Sequence, residues 1–239
     1  MKKTLFSAFA LICMLILNSS SRNAILFDNG EFASSAEIHS LSTNTTTPET
    51  AKKLLLEGNK RYVENKISKK DTSFEKRKEL NLKGQTPFAV ILSCSDSRVP
   101  PEIVFDQGLG ELFVIRNEGN LADSIVSGTA EFGVEYLNAP LIVVLGHENC
   151  GAVKAAVDGV KVEGDLNSIL EKIRPICEKL KAQSKNKDTL LESCVDANIK
   201  NTMLELRKNP VISRLEKEGK LQIIGGKYHT ESGFVEIKN

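Results

Sequence analysis

The sequence predicts an α/β protein with one domain, in which a parallel β-sheet with an antiparallel edge strand is flanked by helices. Short apolar runs of strand length alternate with longer stretches of helical periodicity, which is the pattern of βαβ units. The length of 239 residues suffices for one sizeable domain and leaves little for a second. The net charge of +1, from 32 basic and 31 acidic residues, gives no electrostatic case for binding nucleic acid.

The N-terminus has the composition of a targeting segment. Lys2 and Lys3 precede a largely apolar stretch at residues 4–17, which is shorter than the roughly 20 residues of a membrane-spanning helix. We therefore predict a signal peptide at residues 1–21 and a flexible linker at residues 22–46, rich in Ser, Thr and Asn. The folded domain then covers residues 47–239. The mature protein would be periplasmic or secreted, and an uncleaved anchor is the alternative.

The elements of the domain follow from periodicity and turn residues. Strands are predicted from short apolar runs at residues 88–92, 112–116, 141–145 and 221–224, and residues 233–237 alternate like an edge strand. Thr47 and Pro48 are typical of a helix start. The helix that begins there has a partly apolar face at residues 54–56 and 62–63. Further helices are predicted at residues 73–82, 102–106 and 122–137, from 152, and at 163–180, 188–208 and 211–218. Pro175 is expected to break the helix that contains it.

Metal-ligand side chains follow two of the predicted strands. Cys94 and Asp96 come directly after the first strand, and His147 and Cys150 follow the third. Since the carboxyl ends of parallel strands meet at one edge of a sheet, we expect these four side chains to lie together. Zinc binds thiolate, imidazole and carboxylate groups in tetrahedral geometry, and two thiolates favour a soft or borderline metal. The pattern predicts a zinc site.

Arg98 indicates that this site is more than structural. An arginine two residues from Asp96 can hold the carboxylate in a bidentate pair and withdraw it from the metal. The fourth position is then open to water, whose pKa zinc lowers from about 15.7 to about 7. Asp96 would accept a hydrogen bond from the zinc-bound hydroxide and orient it. The alternative is an ordinary surface ion pair.

Four segments carry a family resemblance. CSDSRVP at residues 94–100 and GHENCGAV at residues 146–153 closely resemble the β-class carbonic anhydrases, here in a bacterial, exported form. LEGN at residues 56–59 and GELFVIRN at residues 110–117 are similar to the same family. The resemblance implies one zinc ion per subunit on Cys94, His147 and Cys150, with Asp96 and Arg98 as a catalytic pair. It also implies reversible hydration of carbon dioxide to bicarbonate and a proton.

The resemblance further implies the substrate pocket and the assembly. Gln85, Phe113 and Gly151 match substrate-binding positions, with the amide of Gly151 contributing through the backbone. Pocket residues come from both subunits in this family, so a homodimer or a homotetramer built as a dimer of dimers is expected. The N-terminal helices would pack on the partner subunit. No nucleic acid and no stable membrane association after signal removal are expected.

Three positions depart from the family pattern. Glu118 stands where a small apolar pocket residue is usual, and we expect its side chain to turn outward. Phe132 occupies a position where tyrosine is frequent, so a hydroxyl group is missing there. Ile91 replaces the tryptophan that marks members with a non-catalytic bicarbonate site, which favours an open zinc position.

Several alternatives stay open on sequence grounds. Cys177 and Cys194 are either bonded to each other or buried as small apolar groups. His39 and His229 are candidate proton shuttles or simply surface histidines. Rival functions are hydrolysis of carbon disulfide or carbonyl sulfide, and an inactive zinc-bearing assembly module. A thiol redox protein would need a closely spaced cysteine pair, which the sequence lacks.

Overall fold

A five-stranded sheet organises the protein. The computed structural model describes residues 46–181, 184 and 186–238. The strands lie in the order β2-β1-β3-β4-β5, with the first four parallel and β5 antiparallel at the edge. The strands are β1 Ala89–Cys94, β2 Leu112–Asn117, β3 Leu141–His147, β4 Gln222–Tyr228 and β5 Val235–Lys238. The predicted fold class is confirmed. The predicted signal peptide and nearly all of the predicted linker lie outside the described residues.

Helices cover both faces of the sheet. They are α1 Pro48–Val63, α2 Phe74–Lys83, α3 Pro101–Val104, α4 Ser124–Glu131, α5 Gly151–Val157, α6 Leu166–Lys181, α7 Lys187–Leu206 and α8 Pro210–Lys217. A 3₁₀ turn at Glu118–Asn120 follows β2, and a π-helical turn at Phe132–Tyr136 extends α4. Within the described ranges, no helix has both the length and the apolar character that crossing a bilayer requires.

Pro175 does not break its helix, contrary to the sequence-based expectation. It lies inside α6, which runs on to Lys181. The same helix buries Leu170, Ile173 and Cys177 in the core. The free energy of packing this apolar face exceeds the local penalty of the missing backbone hydrogen bond, because most helix stability in proteins comes from tertiary packing.

The two central strands are buried along their whole length. Every residue of β1 and β3 is buried, as expected for parallel strands covered on both faces. On one face their side chains pack with α4 to α8, and on the other with α1 and β5. The strands pair directly, with Ser93 opposite Leu145. The carboxyl ends of β1 and β3 therefore lie side by side in the interior.

Helix α1 is fixed to the sheet through polar contacts. The Asn59 side chain donates to the carbonyls of Val104 and Gly233 at 3.1 and 2.8 Å, and accepts from the Val235 amide at 2.9 Å. Gly58 lies so close to the next segment that an added Cβ would stand 1.8 Å from the Phe105 carbonyl oxygen. The helix thus docks by backbone contact, which only glycine permits at this point.

Asp106 anchors the chain that follows α1. Its buried carboxylate accepts hydrogen bonds from the Ser68 amide and hydroxyl and from Arg61, and Lys70 lies 3.6 Å away. Burial alone would raise the pKa of Asp106, but the bonds from Ser68 and Arg61 outweigh it and hold the pKa below its usual value. The charged carboxylate therefore ties the end of α1 and the chain at residues 68–70 to the loop after α3.

Candidate metal centre

The ends of β1 and β3 bring three ligand groups together. Cys94 is the last residue of β1, His147 the last of β3, and Cys150 directly precedes α5. Their ligand atoms all lie within 4.8 Å of one another, and the three residues are at most 1% exposed. Asn149 has a left-handed backbone with φ of 53°, which asparagine tolerates, and this turn returns Cys150 towards the strand ends.

The His147 ring is oriented for metal binding. Its Nδ1 atom lies 2.8 Å from the backbone carbonyl of Glu148, to which it donates its proton. The Nε2 atom is buried and has no hydrogen-bond partner among the described residues. A buried, unpartnered acceptor is rare in folded proteins. An imidazole fixed through one nitrogen, with the other free, is the usual state of a metal-bound histidine.

The two thiols carry opposite pKa shifts. The Cys150 thiol beside it lowers the pKa of Cys94 to about 4, against the effect of burial, and the Gly119 amide donates to Cys94 Sγ at 3.4 Å. The pKa of Cys150 is raised, because it lies next to Cys94 and is buried. The pocket alone thus favours one thiolate, whereas a bound cation holds both. Two thiolates and an imidazole are a donor set that fits zinc.

Asp96 lies beside the three-ligand cluster in a fork formed by Arg98. Arg98 donates to Oδ1 from Nε and from its backbone amide at 2.9 Å each, and to Oδ2 from Nη2 at 2.7 Å. These bonds lower the pKa of Asp96 to about 2. Oδ2 lies 3.8 Å from Nε2 of His147. The carboxylate therefore borders the metal position while being held by arginine.

Arg116 is a residue of this site that the sequence analysis missed. Its guanidinium donates to the carbonyls of Cys94 and Asp96 at 3.2 and 2.7 Å. It thereby fixes the loop that carries both groups. Its position opposite Ser93 on the neighbouring strand gives this reach, and the pairing of β1 with β2 is the signal that would have found it.

Glu118 points into the site, which corrects the expectation that it turns outward. Its Oε2 atom lies 4.0 Å from Cys94 Sγ. Burial and the nearby Cys94 charge raise the pKa of Glu118. The reason for the inward orientation is the 3₁₀ turn, in which Gly119 has φ of 76° and directs its amide at the same sulfur. The pocket thus contains a second carboxylate.

The predicted substrate-binding residues are distributed unevenly. Gly151 begins α5, and a Cβ added there would meet Glu118 Oε1 at 3.9 Å. Phe113 pairs with Val90, four residues before Cys94 on the adjacent strand, which places it about 13 Å along the sheet. Gln85 is exposed in the segment before β1. Gly151 therefore lies beside the metal cluster, whereas Phe113 lies farther along the sheet.

The remaining candidates have structural surroundings of their own. His229 Nδ1 lies 2.6 Å from the Glu148 carboxylate, which also accepts from the Thr230 amide at 3.2 Å. His229 thus holds the residue whose carbonyl orients His147. Cys177 and Cys194 are buried free thiols, and His39 lies outside the described residues.

Comparisons with known proteins agree on one family. A family model described as carbonic anhydrase matches residues 89–235. Carbonic anhydrase 2 of Mycobacterium tuberculosis is 37% identical over 199 residues, covering 81% of this chain and 94% of that protein. The carbonic anhydrase of Mycolicibacterium smegmatis is also 37% identical, with coverage of 81% and 95%. A β-carbonic anhydrase of Aspergillus fumigatus is structurally similar with a TM-score of 0.63 and 31% identity, covering 69% of this chain and 83% of that one.

Proposed function

This chain belongs to the β-class carbonic anhydrases, and on that premise we propose that Cys94, His147 and Cys150 form its catalytic metal centre, served by Asp96 and Arg98. The reaction is the zinc-dependent, reversible hydration of carbon dioxide to bicarbonate and a proton. The observation that carries the assignment is the unpartnered His147 Nε2, buried against two thiols beside an arginine-held carboxylate.

The metal and the chain have separate tasks in this proposal. Zinc on the three ligands supplies Lewis-acid chemistry that makes water a nucleophile near neutral pH. The His147–Glu148 hydrogen bond keeps the Nε2 lone pair available for the metal. The Gly119 amide stabilises negative charge on Cys94. With the metal bound, the chain would thus hold it through two anionic ligands and one neutral ligand.

Asp96 orients the attacking water. With a pKa of about 2, the carboxylate is ionised at neutral pH and can only accept hydrogen bonds. Its Oδ2 atom borders the His147 nitrogen. There it is placed to accept a hydrogen bond from the attacking water and so to direct the lone pair of the water oxygen at carbon dioxide. Arg98 is the positioning residue, since its three donated bonds keep Asp96 beside the metal position.

A stopped-flow pH-indicator assay of the zinc-loaded protein tests this function. We expect carbon dioxide hydration well above the buffer rate at pH 8.5. Asp96→Asn should lower turnover by about 10²-fold or more, the size of a lost acid–base or orienting group, with zinc content unchanged. Asp165→Asn, at an exposed position, is the matched control. No rate above buffer in zinc-replete wild type would refute the assignment, and loss of zinc in Asp96→Asn would indicate a ligand instead.

We also propose that the active unit is a dimer or a dimer of dimers. Helix α2 has no buried residue, and its Phe74 and Leu82 are 64% and 73% exposed. Exposed large apolar side chains on such a helix favour packing against another chain. Gln85 is exposed and Phe113 pairs with Val90, four residues before Cys94, which is expected if both serve the partner's pocket. Sedimentation of wild type should give an even oligomer, and Leu82→Glu should weaken it; a fully active monomer would contradict the proposal.

Export is a separate proposal, supported by the basic and apolar character of residues 1–21. We expect the mature protein in the periplasm or the medium, beginning near residue 22. N-terminal sequencing of the protein purified from its native cells measures this. An intact Met1 in the cytosolic fraction would refute export.

A further inference from the structure

Two carboxylates border the metal cluster, next to different ligands. Asp96 Oδ2 lies 3.8 Å from His147 Nε2, and Glu118 Oε2 lies 4.0 Å from Cys94 Sγ. In a tetrahedral zinc site with Zn–S of about 2.3 Å and Zn–O of about 2.0–2.2 Å, sulfur and oxygen ligands stand about 3.6 Å apart. The distance between Glu118 Oε2 and Cys94 Sγ therefore exceeds the separation of two zinc ligands by only about 0.4 Å.

The two carboxylates differ in their freedom to move. Asp96 is held by three N–H donors of Arg98, two of them in a charge-assisted fork. Glu118 forms no ion pair with any residue in the described part of the chain. It is half-buried, and the Ala152 amide that donates to it is a neutral partner. A carboxylate taken partly out of water without a cation nearby is costly, and a metal ion supplies that missing charge.

The backbone at Glu118 is fixed, so only the side chain needs to move. Gly119 donates to Cys94 Sγ at 3.4 Å, and its carbonyl accepts from Asn198 Nδ2 at 2.8 Å. Asn117 bonds both the amide and the carbonyl of Leu121 across the turn. Glutamate has three rotatable side-chain bonds, and rotation about them carries the carboxylate towards the metal without disturbing these contacts.

We propose that Glu118 is a fourth protein ligand of the metal, which closes in the resting enzyme the coordination position that Asp96 leaves open. The inference rests on the metal centre proposed above. In this arrangement the Asp96–Arg98 pair stays intact while the site is closed. An incoming water or anion must displace Glu118, so external ligands bind more weakly than to an open site.

Azide binding to the cobalt-substituted enzyme tests this ligation. Co²⁺ takes the same ligands, and its visible absorption changes when azide enters the coordination sphere. Glu118→Gln removes the charge, whereas Glu118→Asp keeps the charge and shortens the side chain by one methylene group. We expect both variants to bind azide about tenfold or more tightly than wild type, equivalent to about 1.4 kcal/mol. Glu102→Gln, at an exposed position on α3, should bind azide like wild type.

The pair of variants separates ligation from repulsion. If only Glu118→Gln binds azide more tightly, the carboxylate acts by its charge and the inference is wrong. Equal affinity in wild type and both variants would also overturn it. A crystal structure of the zinc-loaded wild type should show a Glu118 oxygen about 2.0–2.2 Å from the metal.

The metal content of the wild type distinguishes a failure of the Glu118 proposal from a failure of the proposed metal centre. Wild type with one bound metal per chain and unchanged azide affinities in the variants refutes the role of Glu118 alone. Wild type that binds no stoichiometric zinc or cobalt refutes the metal centre, and the inference with it.

Discussion

Gly58 lies where α1 crosses the loop after α3, and its replacement by alanine tests how tightly this helix is docked. The added Cβ would stand 1.8 Å from the Phe105 carbonyl oxygen and 2.8 Å from Gln107 Nε2. The first contact is with backbone, which cannot rotate away as a side chain can. The helix or the loop must therefore move by more than 1 Å to restore an ordinary contact, which is roughly 3.5–4.0 Å.

The expected loss of stability follows from the contacts that this movement breaks. Alanine gains about 1 kcal/mol over glycine inside a helix. Against this, forced overpacking of a tight site costs about 1–3 kcal/mol or more. Withdrawal of α1 also removes the three hydrogen bonds of Asn59, at about 1 kcal/mol each. The net change is a loss of at least about 2 kcal/mol, which lowers the Tm by about 4–8 °C in a domain of this size.

Thermal unfolding followed by circular dichroism measures the effect, at one protein concentration because assembly changes the Tm. Gly128→Ala is the matched control, since Gly128 lies inside α4 and an added Cβ there meets nothing within 4 Å. Helix propensity alone then raises stability by about 1 kcal/mol. The two substitutions should shift the Tm in opposite directions. A Gly58→Ala protein that melts at or above the wild-type temperature would refute the docking argument.

Three further predictions concern charge and thiols. Arg98→Lys should lower kcat at least about tenfold, since lysine cannot form the two-bond fork with Asp96, which is worth more than a neutral hydrogen bond. The pKa of Asp96 should rise in this variant, so the acid limb of the kcat profile should move to higher pH while the zinc content stays constant. Asp106→Asn should lower the Tm at pH 7; because the folded pKa of Asp106 is depressed, the gap between wild type and variant should close as the pH falls below about 3.9. Burial raises the pKa of Cys177 and Cys194, so iodoacetamide should alkylate both only after unfolding; rapid labelling of the native protein would contradict this.

The parts of the site that depend on local sequence were predictable. Apolar runs of strand length identified β1 and β3, and the residue types at their ends indicated the metal. The fork between Arg98 and Asp96 was also foreseeable, because two residues of separation suffice for it. Each of these inferences needs only the chain within a few residues and the rule that parallel strands end at one edge.

Features that depend on distant contacts were not predictable in the same way. The inward orientation of Glu118 depends on the amide of Gly119 meeting a sulfur 25 residues earlier in the chain. Arg116 reaches two carbonyls only because β1 and β2 pair. The intact helix around Pro175 depends on the core beneath it. In each case tertiary packing determines the outcome and local propensity does not.

The direct pairing of β1 and β3 has a consequence for how the enzyme acquires its metal. Cys94 and His147 end two strands that hydrogen-bond to each other, and Cys150 follows within one turn. The backbone hydrogen bonds between β1 and β3 thus set the spacing of Cys94 and His147, and these bonds do not involve the ion. The rate of metallation should then rise linearly with free zinc and show no slow conformational phase. Metal uptake would then depend on the concentration of free zinc and not on a prior rearrangement of the paired strands.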